Sequence, residues 1–372
     1  MKHLSRLRTQ GLALACIAIT ALIGAATERG DAAGVDLPIS VSITRDIPET
    51  VAPGRKVAYE VAISNSGAHN PVTDVQLTLS ANSCTFAQNG VCTTDVADGT
   101  NATVDTTPPT FYYTNDTLTC SGAGTATATC SLGTLQPDTT RTVTIVFLAP
   151  SSAPALGSTY GAGLNALALA SGNETFNDNP DRSSHGDTTP DVETTRLRNT
   201  DYDGGFIERG NGLSLSTGTV ASSTIHNTTQ VTVPTVPGTL AAPGILAKLD
   251  EQADSSGCAA GISCFGQTVY LDVGPNFVFT NAAIAGVFRA DASDVPAGVT
   301  VKNARLLHNG KLVPSAALCG TTLDPAVYDT SGACLVVTGS PPCTTAAIVK
   351  ERDKDLTMCV STPSNGTWKF GG

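Results

Sequence analysis

Hydrophobic residues recur at every second position in short runs along this chain, and Pro, Gly, Asn and Asp break the runs apart. Ile39, Val41 and Ile43 alternate with polar neighbours in PISVSITRD. Val57, Tyr59, Val61 and Ile63 do so in KVAYEVAISNSG, and Val75, Leu77 and Leu79 in TDVQLTLSA. TATATCSLG and TRTVTIVFLAP follow, the second placing Val143, Ile145 and Phe147 on one face, and Leu164, Leu167 and Leu169 mark a further strand. A period of two puts successive side chains on opposite faces of a strand. Seven or so such strands over about 150 residues predict two packed antiparallel sheets. Helical spacing is loose even in its one candidate, residues 162–170.

The same grammar resumes after Gly205 in NGLSLSTG, SSTIHNTTQVTVP, GQTVYLDVG, NFVFTN, AGVFRAD, GVTVKNARLLHNGK, GACLVVTG, AAIVKERD and DLTMCVST. Asn309-Gly310 between apolar residues is a two-residue hairpin signal. The expectation is a second β-sandwich-like module, or two small β subdomains. Composition agrees with an all-β fold: only 14% of residues are charged, so the Lys and Glu faces of surface helices are missing.

Lys2, Arg6 and Arg8 precede the apolar run GLALACIAITALIGAA, which ends in small residues. This predicts a secretory signal peptide over 1–26, with Ala33 as a weaker cleavage position. The run is shorter than the roughly 20 residues of a spanning helix, which argues against a retained anchor. Cys16 lies in mid-run, which argues against lipidation. Cleavage lowers Lys+Arg from 21 to 18 against 32 Asp+Glu, a net charge of −14. That excludes nucleic acid and anionic membranes as natural partners and leaves an extracellular protein or glycan of unknown identity. No later segment is apolar enough to span a bilayer, so the expectation is a secreted or cell-surface protein.

VDLPISVSITRDIPETVAPGRKVAYEVAISNSGAHNPVTDVQLTLS resembles the opening of the conserved-repeat domain (domain of unknown function eleven) of bacterial surface and secreted proteins. The shared features are a first strand, the Pro53-Gly54 turn, an aromatic-x-apolar strand, the Asn65-Ser66-Gly67 turn and a Thr/Asp-Val-Leu strand. CSLGTLQPDTTRTVTIVFLAP and the exit FNDNPDRSSHGDT are similar to that family as well. The resemblance covers about residues 35–195. It implies an immunoglobulin-like sandwich with a spacer, stalk or adhesion role and no known active site. Residues 82–119 depart from the pattern and read as an inserted loop with Cys84, Cys92 and Pro108-Pro109. The expected organisation is therefore an immunoglobulin-like domain at 35–197, a linker at 198–212 and a β-rich domain at 213–372.

Ten cysteines beyond the leader fall in two even blocks, Cys84, Cys92, Cys120 and Cys130, then Cys258, Cys264, Cys319, Cys334, Cys343 and Cys359. Even blocks in an exported chain predict disulfides confined to each module. The resemblance implies a Cys120–Cys130 pair, and proximity suggests Cys84–Cys92, among three connectivities. Each would close a loop of about ten residues and stabilise by ~2–3 kcal/mol. Cys258–Cys264, Cys319–Cys334 and Cys343–Cys359 are the simplest pairs among fifteen arrangements. A zinc site is disfavoured, because no C-x-x-C pair or nearby His accompanies the first block.

Asn199, Asp201 and Asp203, with Gly204 after them, mimic the start of a calcium loop. Gly210 stands where a bidentate Glu belongs, so a polar turn between modules is the competing reading. No other cofactor is expected. The aromatic residues Phe265, Tyr270, Phe277, Phe279 and Phe288 alternate like core residues, and the single Trp368 reads as a closing-strand residue, which disfavours a stacking-type sugar site. No catalytic motif stands out. GLSLSTG is no nucleophile elbow, and His69, His185, His226 and His308 form no metal-ligand spacing. The sequons at Asn101, Asn115, Asn173, Asn227 and Asn365 read as chance in a Thr-rich chain. The chain reads as a non-catalytic structural or adhesive protein. A binding module with its affinity in the C-terminal domain comes second, and an unrecognised hydrolase third.

Overall fold

The computed structural model describes residues 39–372 apart from 66–70, 87–91, 94–101, 105–110, 114–117, 152–161, 175–184, 187–190, 199–200, 218–228, 254–257, 259–260, 275–282, 291–292, 301–302, 337–355 and 364. Every regular element among the described residues is a strand. They build two β-sandwiches in succession. The expected leader lies outside the described residues.

In the first sandwich, Ile39–Ile47 pairs with Lys56–Asn65, which pairs on its far side with Thr139–Leu148, all antiparallel. Thr103–Val104 and Phe111–Tyr113 extend this sheet. The facing sheet runs Thr50–Val51, Asp191–Leu197, Ala162–Glu174, Val72–Phe86, Thr127–Leu135, Thr119–Ser121. Ile47 closes the first strand in one sheet and Thr50 begins a strand in the other. Pro48 between them has no N–H to carry a ladder forward, so the chain can leave one sheet for the other there. The alternating residues of the first module named above, Leu167 and Leu169 excepted, meet in a single core with Tyr59 edge-on to Phe147, ring centroids 5.8 Å apart.

The sequence pattern is refined in two places. Residues 162–170 are strand, but the inward positions are Leu164 and alternate alanines, while Leu169 faces solvent. Part of the expected insertion at 82–119 is strand as well. Val72–Phe86 runs on to Phe86 because Ala162–Glu174 pairs with it from Val72 to Thr85.

In the second sandwich, one sheet has the order Tyr202–Glu208, Gly244–Gln252, Cys264–Gly274, Gly366–Gly371, Arg305–His308, Lys311–Leu312. The other has the order Leu213–Ser216, Gln230–Val233, Ile284–Ala290, Leu356–Thr362, Cys334–Leu335. One continuous core joins the two sheets, so this is a single sandwich rather than two subdomains. Asn309 and Gly310 have φ of 50° and 75°, the left-handed pair that closes a two-residue hairpin between His308 and Lys311. Trp368 is fully buried at the centre and stacks on Phe288 and His308 at 4.9 and 4.1 Å. NFVFTN and AAIVKERD lie outside the described residues.

The segment 198–212 is not a free linker. Tyr202–Glu208 is a strand whose seven residues are all buried. Ile207 enters the second core, while Phe206 packs on Ile47, Ala58 and Val146 of the first sandwich. A strand covered on both sides has no solvent face for polar alternation, which is why its Asp, Gly and Glu content resembles a turn in sequence.

Candidate functional site

The two sandwiches meet along Tyr202–Glu208. Arg55 and Lys56 begin the strand Lys56–Asn65 or just precede it, and both reach across. Arg55 donates to the Asp203 carboxylate through Nε at 2.8 Å and Nη2 at 2.6 Å, and to the Ser214 carbonyl at 2.8 Å. Lys56 Nζ donates to Glu208 Oε2 at 2.6 Å. The acids are the buried partners, 8% and 3% exposed. Backbone contact is direct too, since Ala52 N donates to the Gly204 carbonyl at 2.9 Å. A Cβ on Gly205 would lie 2.8 Å from Arg55 Cβ and 3.0 Å from the Lys56 carbonyl, so this approach needs glycine. The Tyr202 hydroxyl donates to the Thr50 carbonyl, and burial, first of all, pushes its acidity well down.

Beside this joint lies a cleft of about 790 Å³. Its walls come from the end of Ile39–Ile47, the turn through Pro48, Asp191–Leu197 and the strand Gly244–Gln252. The lining is polar and charged. At its first-sandwich wall, Thr195 donates to Asp46 Oδ2 at 2.8 Å and accepts from the Tyr59 hydroxyl at 3.0 Å. Burial pushes the Asp46 carboxyl up, the Thr195 bond opposes this, and Glu193 and Glu49 nearby push it further. Arg196 lies over the Phe86 ring, 4.8 Å from its centroid. Arg198 sits over Tyr202 at 5.3 Å and 2.9 Å from Asp250 Oδ1, without hydrogen-bond alignment. Lys248 pairs with Asp272 at 3.3 Å.

A third polar group occupies the second core. His308 is fully buried, its Nδ1 2.7 Å from Asp329 Oδ2 and its Nε2 3.0 Å from the Asn365 carbonyl. Ser331 donates to the same Asp329 oxygen at 2.8 Å. Burial pushes the Asp329 carboxyl up, but the bonds to His308 and Ser331 outweigh it and hold the acid below its ordinary range. The trio has the composition of a nucleophile–base–acid set but not its connectivity. The Ser331 hydroxyl donates to the acid and lies 3.5 Å from His308 Nδ1, the same nitrogen that meets Asp329, while Nε2 is turned to a backbone carbonyl, so acid and hydroxyl share one face of the imidazole instead of flanking it. Across the same sheet, Glu251 is buried, accepts from Thr229 N at 3.1 Å and has its carboxyl pushed up by burial. Neither group opens onto the junction cleft.

The residues picked from sequence divide as follows. Cys84–Cys92, Cys120–Cys130, Cys258–Cys264 and Cys319–Cys334 are joined. Cys359 is disulfide-bonded, and Cys343 lies outside the described residues. Of the calcium candidates, Asn199 lies outside the described residues. Asp203 has both oxygens engaged, by Arg55 and by Ser216 N at 2.8 Å. Asp201 sits in a left-handed turn with φ 52° just ahead of the strand. Among the described residues, no group of three or more His, Cys, Asp or Glu is placed to hold a metal, and no helix is long and apolar enough to cross a membrane. Sequence reading missed the cleft entirely. Its charged residues are scattered over residues 45–50, 193–198 and 248–250, with no spacing that links them.

No family model matches the chain, and no curated protein does. Among solved structures, a PapD-like domain of human CEP192 is 14% identical over 49% of this chain and 96% of its own length, with a TM-score of 0.24. A cohesin module from a Clostridium perfringens family 33 glycoside hydrolase is 12% identical over 43% of this chain and 95% of its own, also at 0.24. The cycloalternan-forming enzyme of Listeria monocytogenes is 8% identical over 90% of this chain and 30% of its own, at 0.21. At these scores the likenesses add nothing to the fold read directly from the strands.

Proposed function

We propose that the chain is an exported, non-catalytic β-protein that serves as a structural or adhesive element at the cell surface, its two sandwiches acting as one stiff body. The joint carries this reading. A spacer transmits position only if its modules do not swing, and here Phe206, two ion pairs and a shared backbone contact tie the modules together. Local disulfides in both modules suit an oxidising compartment. The resemblance of about residues 35–195 to the conserved-repeat domain points the same way. Limited trypsin digestion of the oxidised protein tests it, with Arg198 and Arg209 flanking the joint strand. The expectation is that both bonds outlast the exposed loops. First cleavage at either one would show a swinging hinge and overturn the stiff-spacer reading. Free thiols in protein recovered outside the cell would overturn export. A carbohydrate- or protein-binding role is the second reading, and the junction cleft favours it.

A further inference from the structure

We propose that the cleft at the joint binds a short acidic oligosaccharide, two or three sugar units with at least one carboxylate. The proposal deepens the binding reading above and moves its site from the C-terminal half to a surface built by both halves. Two sets of groups in the cleft have bonding capacity to spare. Within the cleft, Arg198 and Lys248 already have acidic neighbours. Arg45 and Arg196 do not: among the described residues neither guanidinium has a hydrogen bond or ion pair, and Arg196 is steadied by the Phe86 ring beneath it. A planar fork with nothing to hold is suited to a carboxylate, which it grips through two parallel bonds.

The acceptors in the same cleft form a second set. Asp46, Glu49 and Glu193 stand close enough for the latter two to disfavour ionisation of the first. Three neighbouring acids beside two free guanidiniums do not suit a simple anion. They suit a ligand that brings its own O–H donors along with its charge. A sugar acid offers both, hydroxyls for the acids and a carboxylate for the arginines. A neutral sugar would leave the guanidiniums unpaired. A stacking platform is absent, since Phe86 is covered by Arg196 and the Tyr202 ring by Arg198. An acidic peptide would bring carboxylates for the guanidiniums but no array of hydroxyl donors for the three acids. The volume, about 790 Å³, lies within the roughly 300–1,000 Å³ of pockets that enclose ligands larger than one sugar or amino acid.

Calorimetric titration of the full chain with α-1,4-linked trigalacturonate tests this, against a neutral galactose trimer, triglutamate and inorganic phosphate. Saturable binding of the trigalacturonate is expected, at least about tenfold tighter than any of the other three. Arg45→Ala and Arg196→Ala should each weaken it by about tenfold or more, and Glu49→Gln by a few-fold, with melting within about a degree of the parent for Arg45→Ala and Glu49→Gln, whose side chains hold nothing else. Arg209→Ala, outside the cleft, should leave binding unchanged. Absence of trigalacturonate binding, indifference to both arginine changes, or equal affinity for triglutamate or phosphate would each overturn the proposal. A protein that resists cleavage at Arg198 and Arg209 yet binds no acidic saccharide refutes this inference and leaves the spacer reading standing.

Discussion

Asp203→Ala isolates the joint. The Asp203 carboxylate accepts three hydrogen bonds, two from Arg55 and one from the Ser216 N–H. Its removal strands the Ser216 donor, at a cost of about 1–3 kcal/mol for a part-buried amide. Arg55 is 29% exposed and keeps the Ser214 carbonyl, so water and that bond recover much of its loss. The expected net is about 2–4 kcal/mol of destabilisation. Arg55→Ala should cost at least as much, because it leaves a carboxylate that is 8% exposed without its counter-charge. The double variant should then be little worse than the more damaging single one, a coupling of at least about 1.5 kcal/mol. Urea unfolding followed by circular dichroism and by Trp368 fluorescence reads both sandwiches together. A loss under about 0.5 kcal/mol for Asp203→Ala, or simple additivity in the cycle, would refute the claim that this pair ties the modules.

Other consequences can be checked as directly. Because Asp203 is engaged by Arg55, calcium or a chelator should leave the melting temperature unchanged, and a rise with calcium would restore the ion-loop reading of 199–204. Trp368→Ala should cost about 3–5 kcal/mol in urea unfolding, since it removes the largest fully buried ring; a loss under 1 kcal/mol would show that the second core does not centre there. The raised carboxyl of Glu251 has a pH signature. Its contribution is complete below the unfolded value near 4.5 and is lost as pH rises through the folded value. Glu251→Gln should therefore gain on the parent as pH rises above about 4.5, and parallel profiles would contradict the burial argument. Asp329→Asn should act in the opposite sense, losing stability above the unfolded value of 3.8 and converging with the parent in acid. Replacing Cys84 and Cys92 by Ala should cost about 2–3 kcal/mol for an eight-residue separation, read from the same unfolding curves.

The strands that face one core were legible in the sequence because burial imposes a period of two. Ile39, Val41 and Ile43, or Val143, Ile145 and Phe147, report their inward side through composition alone. Two strands of the second sandwich escaped. Tyr202–Glu208 is covered on both sides and mixes Asp, Gly and Glu with Phe and Ile, so it mimics a turn. Gly244–Gln252 does alternate, but its inward set is Ile245, Ala247, Leu249 and Glu251, and the buried acid breaks the apolar signal. The joint and the cleft were illegible for a related reason. Arg55 and Asp203 lie 148 positions apart, and only the register of distant strands brings them together. Cys84–Cys92, Cys258–Cys264 and Cys319–Cys334 could be anticipated from proximity because each closes a short loop, and Cys120–Cys130 from the family resemblance, whereas long-range ion pairs leave no local trace.

The central claim is that the two sandwiches move as one. Pulsed dipolar spectroscopy between spin labels carried on non-natural residues at exposed Ser42 and Thr321, one in each sandwich, measures that motion without disturbing the disulfides. The account predicts a single narrow distance distribution that broadens when Asp203 and Phe206 are both changed to Ala. A broad distribution in the unaltered protein would contradict it.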